Sequence, residues 1–376
     1  MLLELTGAAA LAIWIYLLLG RGGFWRMRDA SPEGALPAVA PGVVAVIPAR
    51  NEALVVARAV GSLVWQRYPG EFHVVLVDDD SEDGTADAAR GADPAGLLEV
   101  VRAGPIPAGW TGKLWAASEG IRAAQRFQPE YLLLTDADIV HPPGNLSALV
   151  ARAGSGGYDV VSFMATLECR TFAERALIPA FVFFFFMLYP PAWIRSLRRG
   201  TAAAAGGCIL IRREMLELAG GLAAIRGEVI DDCALARAVR RRGGRVWLGL
   251  SAATRSVRGY ATWGEIGRMI SRSAFAQLHH SVWLLIGTVL GLTLTYMAPP
   301  ALAIAAHGPA AALGTGAWLV MSAAYFPALR FYRRSPAWAP LLPAIAAFYL
   351  GATIHSAVCY WRGAGGRWKG RVQDGA

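Results

Sequence analysis

The chain carries several carboxylate groupings whose spacing suggests chemistry. The densest is Val77-Asp78-Asp79-Asp80-Ser81-Glu82-Asp83-Gly84-Thr85, with four Asp and one Glu in six residues. Such a cluster is self-repelling unless donors or a cation offset it, and a turn needs only one or two Asp, so a base or ribose contact from Asp79 is expected ahead of helix capping. In Leu133-Leu134-Thr135-Asp136-Ala137-Asp138 two carboxylates are separated by one residue. Alternate side chains of an extended chain share a face, so Asp136 and Asp138 can reach one metal, or one metal-bound diphosphate. Hard oxygen ligands of this kind suit Mg²⁺ or Mn²⁺, which would stabilise charge developing on a leaving diphosphate. An isolated Asp-x-Asp is more often a turn; its place after an apolar run favours the metal.

Three further groups complete the set. Val46-Ile47-Pro48-Ala49-Arg50-Asn51-Glu52 runs from an apolar segment into a polar loop, with Pro48 and Glu52 as nucleotide-side candidates. Asn51 and Glu52 would equally serve as helix caps. Gly109-Trp110-Thr111-Gly112-Lys113 reads as a flexible loop that can approach phosphates and offer Lys113 as a point charge, or as a turn with a solvated lysine. In Glu228-Val229-Ile230-Asp231-Asp232, the acidic pair leads into a helix over Cys233 to Arg242. There the helix dipole alone would stabilise it, while the functional reading makes Asp232 a general base.

These groups need a scaffold that gathers them. From Val43 to about Arg258, short β-branched runs alternate with Ala/Arg-rich helical stretches, the pattern of βαβ units and a largely parallel sheet. The runs are Val43 to Ile47, Phe72 to Val77, Leu98 to Arg102, Tyr131 to Thr135 and Val160 to Ala165. Most candidate residues directly follow one of them, and ligands of open α/β sheets bind beyond the carboxyl ends of the strands.

Outside this region the chain is apolar. With 55% hydrophobic and 17% charged residues and a mean hydropathy of +0.39, its 376 residues allow one large domain plus several membrane spans. Leu5 to Gly20, followed by Arg21, Arg26 and Arg28, reads as a retained anchor (residues 1–22) rather than a signal peptide, whose charges would precede the apolar run. The positive-inside tendency puts the following domain in the cytosol. Ser31 to Gly42 reads as a linker. Spans are expected near Ser281 to Ala298, Ala311 to Leu329 and Ala339 to Trp361, about three helices over 281–361, before a basic tail at 362–376. Arg330, Arg333 and Arg334 precede the last span and the basic tail follows it. Either the charge rule fails there or the segment around Pro340 and Pro343 is re-entrant. Leu177 to Ile194, with Arg195, Arg198 and Arg199 behind it, reads as a buried core helix or, with a better fit, as a helix in the membrane interface. The net charge of +9 therefore points to phospholipid and a phosphate-bearing substrate, not nucleic acid, for which no signature is present. Four dispersed cysteines give neither a zinc site nor a disulfide framework.

Taken in order, the five motifs resemble the family 2 glycosyltransferases of GT-A fold, over roughly 43–277. The stretches Ile230-Asp231-Asp232-Cys233-Ala234-Leu235 and Arg268 to Leu278 are most similar to the hopene-associated glycosyltransferases of bacteria. Ceramide glucosyltransferases and processive polysaccharide synthases are more distant. The resemblance implies an α/β, Rossmann-like nucleotide-diphospho-sugar transferase domain on the cytosolic face of the bacterial inner membrane. It implies Glu52 and Asp79 at the nucleoside, Lys113 at the nucleotide or diphosphate, Asp136 and Asp138 at donor and metal, and Asp232 as base in a single inverting displacement. The acceptor would be a hopanoid or other polyisoprenoid lipid. Two departures stand out. Asp231-Asp232 replaces Glu-Asp, and the Gln-x-x-Arg-Trp motif of processive synthases is reduced to Arg272, with Met269 for Gln and Ser273 for Trp. Loss of the Trp favours addition of one sugar, with Arg272 steadying the leaving diphosphate. A processive synthase and a non-catalytic nucleotide-sugar-binding scaffold are the alternatives.

Overall fold

The computed structural model describes residues 1–30, 35–368 and 371–372. Its centre is a sheet of β1 (Val43–Ala49), β2 (Phe72–Asp78), β3 (Leu98–Arg102), β4 (Tyr131–Thr135), β5 (Ile139–Val140), β6 (Val160–Thr166), β7 (Cys208–Arg212) and β8 (Val246–Ser256). The spatial order is β3-β2-β1-β4-β7-β6-β8-β5. Two of the five expected strands match residue for residue, and the others extend one or two residues further.

The sheet is mixed, not largely parallel. β1 pairs in parallel with β2 and β4, but β7 runs antiparallel to both β4 and β6. The reason lies in the connection. The chain leaves the carboxyl end of β6, makes its apolar excursion through Phe172–Leu188 and Pro191–Arg195, and re-enters at that same end. β7 can then only run back.

All seven residues of β1 are buried, as expected for a strand covered on both faces. On one face Ala53–Val64 and Asn145–Gly156 contribute Val56, Val60, Leu146 and Leu149 to the core. On the other lies Gly112–Ala124. Its Gly120 has no room for a side chain, since a Cβ there would sit 2.5 Å from Val46 Cγ1 and 2.8 Å from Val77 Cγ2. That close approach seats Lys113, in the first turn of this helix, over the strand ends.

Five helical segments are long and apolar enough to cross a membrane: Leu2–Gly20, Phe172–Arg195, Val282–Ala305, Gly308–Phe331 and Pro336–Trp361. The fold separates them. β6 and β7 flank Phe172–Arg195 and hydrogen-bond to each other, so both ends of that segment lie on one side. The helix spans 172–188, broken by Pro190 before 191–195, and so begins five residues earlier than the expected apolar stretch. Leu342–Trp361 is also held to the domain along its length. Phe348 packs against Trp263, the Ser356 hydroxyl donates to Ser271 O, and Tyr360 meets Phe275. The preceding turn rests there too, with Trp338 against Phe172 at 5.4 Å. The remaining three pack on one another and on Phe172–Leu188, where Tyr325 meets Phe183 and Tyr296 meets Phe184. Trp14 of the first donates to Thr295 O at 2.8 Å and meets Tyr296 edge-on, knitting the first helix to the third segment.

The linker's residues 31–34 and the tail's residues 369–370 and 373–376 lie outside the described residues. Within the tail, Arg367–Trp368 and Arg371–Val372 pair as a short antiparallel ribbon.

Candidate active site

The candidate residues converge at the carboxyl ends of β1, β2 and β4. The loops after β1 and β2 are zipped together. Arg50 Nη1 donates to Asp79 O at 2.5 Å, Glu82 N donates to Asn51 Oδ1, Glu52 N to Thr85 Oγ1, and Ala53 N to Asp83 Oδ2. Asn51 adopts a positive φ of 51° to do so, a conformation that Asn tolerates better than most residues. This corrects the reading of the acidic turn. Asp78 accepts from Ser81 N, Asp83 from Ala53 and Thr85, and Asp80 pairs with Arg102 at 2.7 Å. Three of the four aspartates thus brace loops. Asp79, with its side chain 3% exposed and 3.9 Å from Arg50, remains at the strand end.

Lys113 is not in a flexible loop. Thr111 caps the helix by accepting from Leu114 N, and Thr111 N is itself tied to Arg226 O at 2.9 Å. A cation in a first helical turn opposes the dipole, and here two carboxylates hold it. Lys113 Nζ lies 2.9 Å from Asp136 Oδ1 and 3.1 Å from Asp231 Oδ2. Burial works against its charge, but Asp136 and Asp231 raise its pKa regardless. Burial likewise opposes ionisation of Asp136, yet Lys113, followed by Arg272 and Arg258, holds that carboxyl below its ordinary range. Arg272 therefore acts on Asp136 from the end of the Trp263–Ser271 helix.

Asp232 opens the Asp231–Arg241 helix. Its Oδ1 accepts from Cys233 N at 2.7 Å and its Oδ2 from Gly206 N at 2.8 Å. Each oxygen retains a lone pair. Burial and the neighbouring Asp231 push its pKa up to about 6, near where a general base works best. Asp232, Asp231, Lys113, Asp136, Gly206 and Pro48 line one cavity of about 30 Å³. The recess is open to solvent and has room for water at its base.

Asp138 does not line that cavity. It faces a neighbouring cluster in which its Oδ2 accepts from Ser256 Oγ at 2.8 Å and Arg258 Nε at 3.1 Å. Arg258 Nη2 also reaches both oxygens of Glu52, at 2.5 and 2.6 Å. Burial, then Asp136, raises the Asp138 pKa. Asp136 joins the two clusters, since it pairs with Lys113 on one side and raises the Asp138 pKa through space on the other. Glu52 is held by an arginine rather than capping a helix; the Ala53–Val64 helix has no side-chain cap.

The sequence reading missed Arg258, which follows β8. A lone Arg two residues past a strand end carries no signal until that strand is recognised. It also missed a buried polar relay behind the Asp-x-Asp turn. Ser251 Oγ donates to Thr254 Oγ1, which donates to Asn145 Oδ1. Asn145 Nδ2 donates to His141 Nδ1 at 3.0 Å. That leaves the proton on Nε2, which donates to Thr135 Oγ1 at 2.9 Å, and Thr135 donates to Gly207 O at 2.8 Å. Burial lowers the His141 pKa to about 3, so the ring is neutral. The relay fixes the backbone on both sides of the site, since Thr135 precedes Asp136 and Gly207 follows the glycine bound to Asp232. His141→Phe leaves the Asn145 amide without its ring acceptor, at a cost of about 1–3 kcal/mol, while the Thr135 hydroxyl loses its ring partner but keeps its bond to Gly207 O. A lowered unfolding midpoint and a lowered kcat are expected, with partial recovery in His141→Gln. A Phe variant as stable as wild type would remove the relay from consideration.

The site also touches the apolar helices directly. Thr171 and Glu174 form a capping box at the start of Phe172–Leu188. Buried Glu174 additionally accepts from Tyr260 N at 2.6 Å, and Thr171 Oγ1 donates to Tyr260 O. Tyr260 stands two residues beyond Arg258.

A solved structure resembles this chain in fold. A mannosyltransferase, PcManGT from Pyrobaculum calidifontis, solved in complex with GDP-Man and Mn²⁺, superposes with a TM-score of 0.60 at 21% identity, covering 94% of this chain and 98% of that one. Glucosyl-3-phosphoglycerate synthase from Mycobacterium tuberculosis, solved with Mg²⁺ and uridine-diphosphate, gives a TM-score of 0.40 at 18% identity over 61% of this chain and 75% of its own. No curated protein sequence is significantly similar. The family model described as glycosyltransferase like family 2 matches residues 41–275. That match takes in every strand of the sheet and every residue of the two clusters, and by it the chain belongs to the family 2 glycosyltransferases, nucleotide-sugar enzymes of GT-A fold.

Proposed function

We propose that the protein transfers one sugar, with inversion, from a nucleotide-diphosphate donor to a lipid in the membrane, a hopanoid or other polyisoprenoid being the acceptor class. The observation that carries this reading is the direct junction between the carboxylate clusters and the apolar helices through Tyr260, Thr171 and Glu174. A hydroxyl presented from a bilayer arrives where Asp232 and Asp136 already lie. Leu2–Gly20, Val282–Ala305 and Gly308–Phe331 would span the bacterial inner membrane. Phe172–Leu188 and Leu342–Trp361 would lie at its cytosolic interface beneath the domain.

Asp136 and Asp138 fit a hard divalent cation, Mg²⁺ or Mn²⁺. Both are buried oxygen donors two residues apart past one strand, and a cation between them would relieve the repulsion that Asp136 exerts on Asp138. When bound, the ion would supply positive charge to the diphosphate. Pro48, Glu52 and Asp79 sit on the nucleoside side. Lys113 and Arg272 flank Asp136 and offer cationic charge to the departing diphosphate. Asp232 takes the acceptor hydroxyl proton while the acceptor oxygen attacks the anomeric carbon opposite the leaving group, so one C–O bond forms as the other breaks. With Ser273 where processive relatives carry Trp, nothing at that position stacks a growing glycan.

Purified protein in lipid is to be tested against a panel of nucleotide sugars beginning with GDP-mannose and UDP-glucose, with and without hopanoid acceptors. The expected result is chelator-sensitive nucleotide release with a product one hexose heavier than the lipid. A ladder of masses would favour polysaccharide synthesis, and release indifferent to chelator would overturn the metal assignment.

A further inference from the structure

A second, larger cavity of about 1120 Å³ lies at the other end of the Phe172–Leu188 helix. This helix is seventeen residues long, or roughly 25 Å at 1.5 Å per residue, so the cavity is not part of the active site. Its charged lining is one-sided: Arg26, Arg28, Arg152 and Arg195 against Asp29, and Asp29 already accepts from Ala252 N. Its apolar wall comes from the ends of two membrane-facing helices, with Leu19 on the first and Phe186 on the second. Those ends are bound to each other, since Arg21 Nε donates to Met187 O at 2.9 Å and its guanidinium lies over Trp193. Buried Arg152 stacks on Trp247 at 4.2 Å, which fixes its guanidinium as part of the floor.

An apolar wall continuous with a spanning helix and a floor of guanidinium groups describe the two halves of an anionic phospholipid. Guanidinium matches phosphate geometry, and aromatic and basic residues at a helix end mark the headgroup level. The volume suits a headgroup with the first part of its acyl chains. The geometry points to a binding site for one anionic phospholipid, its phosphate on Arg26, Arg28, Arg152 and Arg195 and its chains along Leu19 and Phe186. Such a lipid would wedge between the anchor and the domain and set the tilt of the active site over the bilayer. The inference rests on the placement of these helices at a bilayer and is independent of the sugar chemistry.

The test uses the full chain in neutral detergent, with bound lipid counted by native mass spectrometry after addition of phosphatidylglycerol or phosphatidylcholine. One phosphatidylglycerol is expected to be retained and phosphatidylcholine to wash out. The double variant Arg26→Glu/Arg28→Glu changes two exposed side chains and should fold normally. It is expected to weaken phosphatidylglycerol retention on the order of 20-fold, given about fivefold per basic residue near an anionic headgroup. Arg90→Glu, on the far side of the domain, should retain lipid as wild type does. Nucleotide release in detergent should be the same in all three proteins. Equal retention by wild type and the double variant would overturn the site. Displacement of the lipid by millimolar inorganic phosphate, with no difference between the two lipids, would reassign it to a soluble anion and overturn the lipid assignment.

Discussion

Asp232→Asn is expected to reduce sugar transfer by about 10²- to 10⁴-fold, the usual worth of a positioned general base, while donor affinity measured by calorimetry stays unchanged. The substitution is nearly isosteric, and the amide oxygen can still accept from Cys233 N or Gly206 N. What it loses is the ability to take a proton. The two adjacent aspartates, Asp231 and Asp232, are distinguishable on this basis. Asp231 is spent on Lys113, whereas Asp232 is held by backbone donors and keeps its free lone pairs toward the cavity. Asp231→Asn should therefore weaken donor binding more than it lowers the chemical step. Full retention of transfer by Asp232→Asn would remove Asp232 from the role of general base.

The same residue predicts the acid limb of the pH profile. Burial and Asp231 place the Asp232 pKa at about 6. A base is active only when deprotonated, so kcat should climb through about pH 6 and level off above it. Asp231 contributes to the upward shift, so Asp231→Asn should move the limb to lower pH. A limb that stayed in place would assign it to another group.

Much of the site was legible because its carboxylates follow strands whose apolar runs are unbroken. Glu52, Asp79, Asp136 and Asp138 all sit just past such runs, although Asp138 joins Glu52 at Arg258 and not the cavity that Asp136 shares with Asp232. β7 and β8 were not recognised, although glycine turns, Gly206-Gly207 and Gly243-Gly244, stand just before them. Without β8 there is no reason to place Arg258 beside Glu52, 206 residues away. The relay through His141 was hidden for a related reason. His141 and Asn145 are four residues apart and look like loop and helix start, but Thr254 and Gly207 come from opposite parts of the chain and meet only in the folded sheet. The acidic turn misled in the other direction. Its charge density suggested ligand contacts, yet Asp78 and Asp83 accept from backbone amides and Asp80 pairs with Arg102.

Arg258→Ala is expected to destabilise the protein and to change how it responds to metal. Arg258 neutralises two carboxylates whose side chains are 10% and 13% exposed, Glu52 and Asp138. Removing one partner of a buried ion pair costs about 3–5 kcal/mol. Arg258 is itself 32% exposed, so screening reduces the expected loss to about 2–3 kcal/mol. The unfolding midpoint in chelator should fall accordingly. Mn²⁺ should then stabilise the variant more than it stabilises wild type, because in wild type the ion must compete with Arg258 for Asp138 Oδ2, and in the variant the ion meets the carboxylate without a rival cation. Activity should fall in both conditions, since the arginine also positions Glu52 at the nucleoside side. A variant that loses stability but gains nothing from Mn²⁺ would mean that Asp138 serves the ion pair alone, and the metal would have to be sought on Asp136 and the donor's own oxygens.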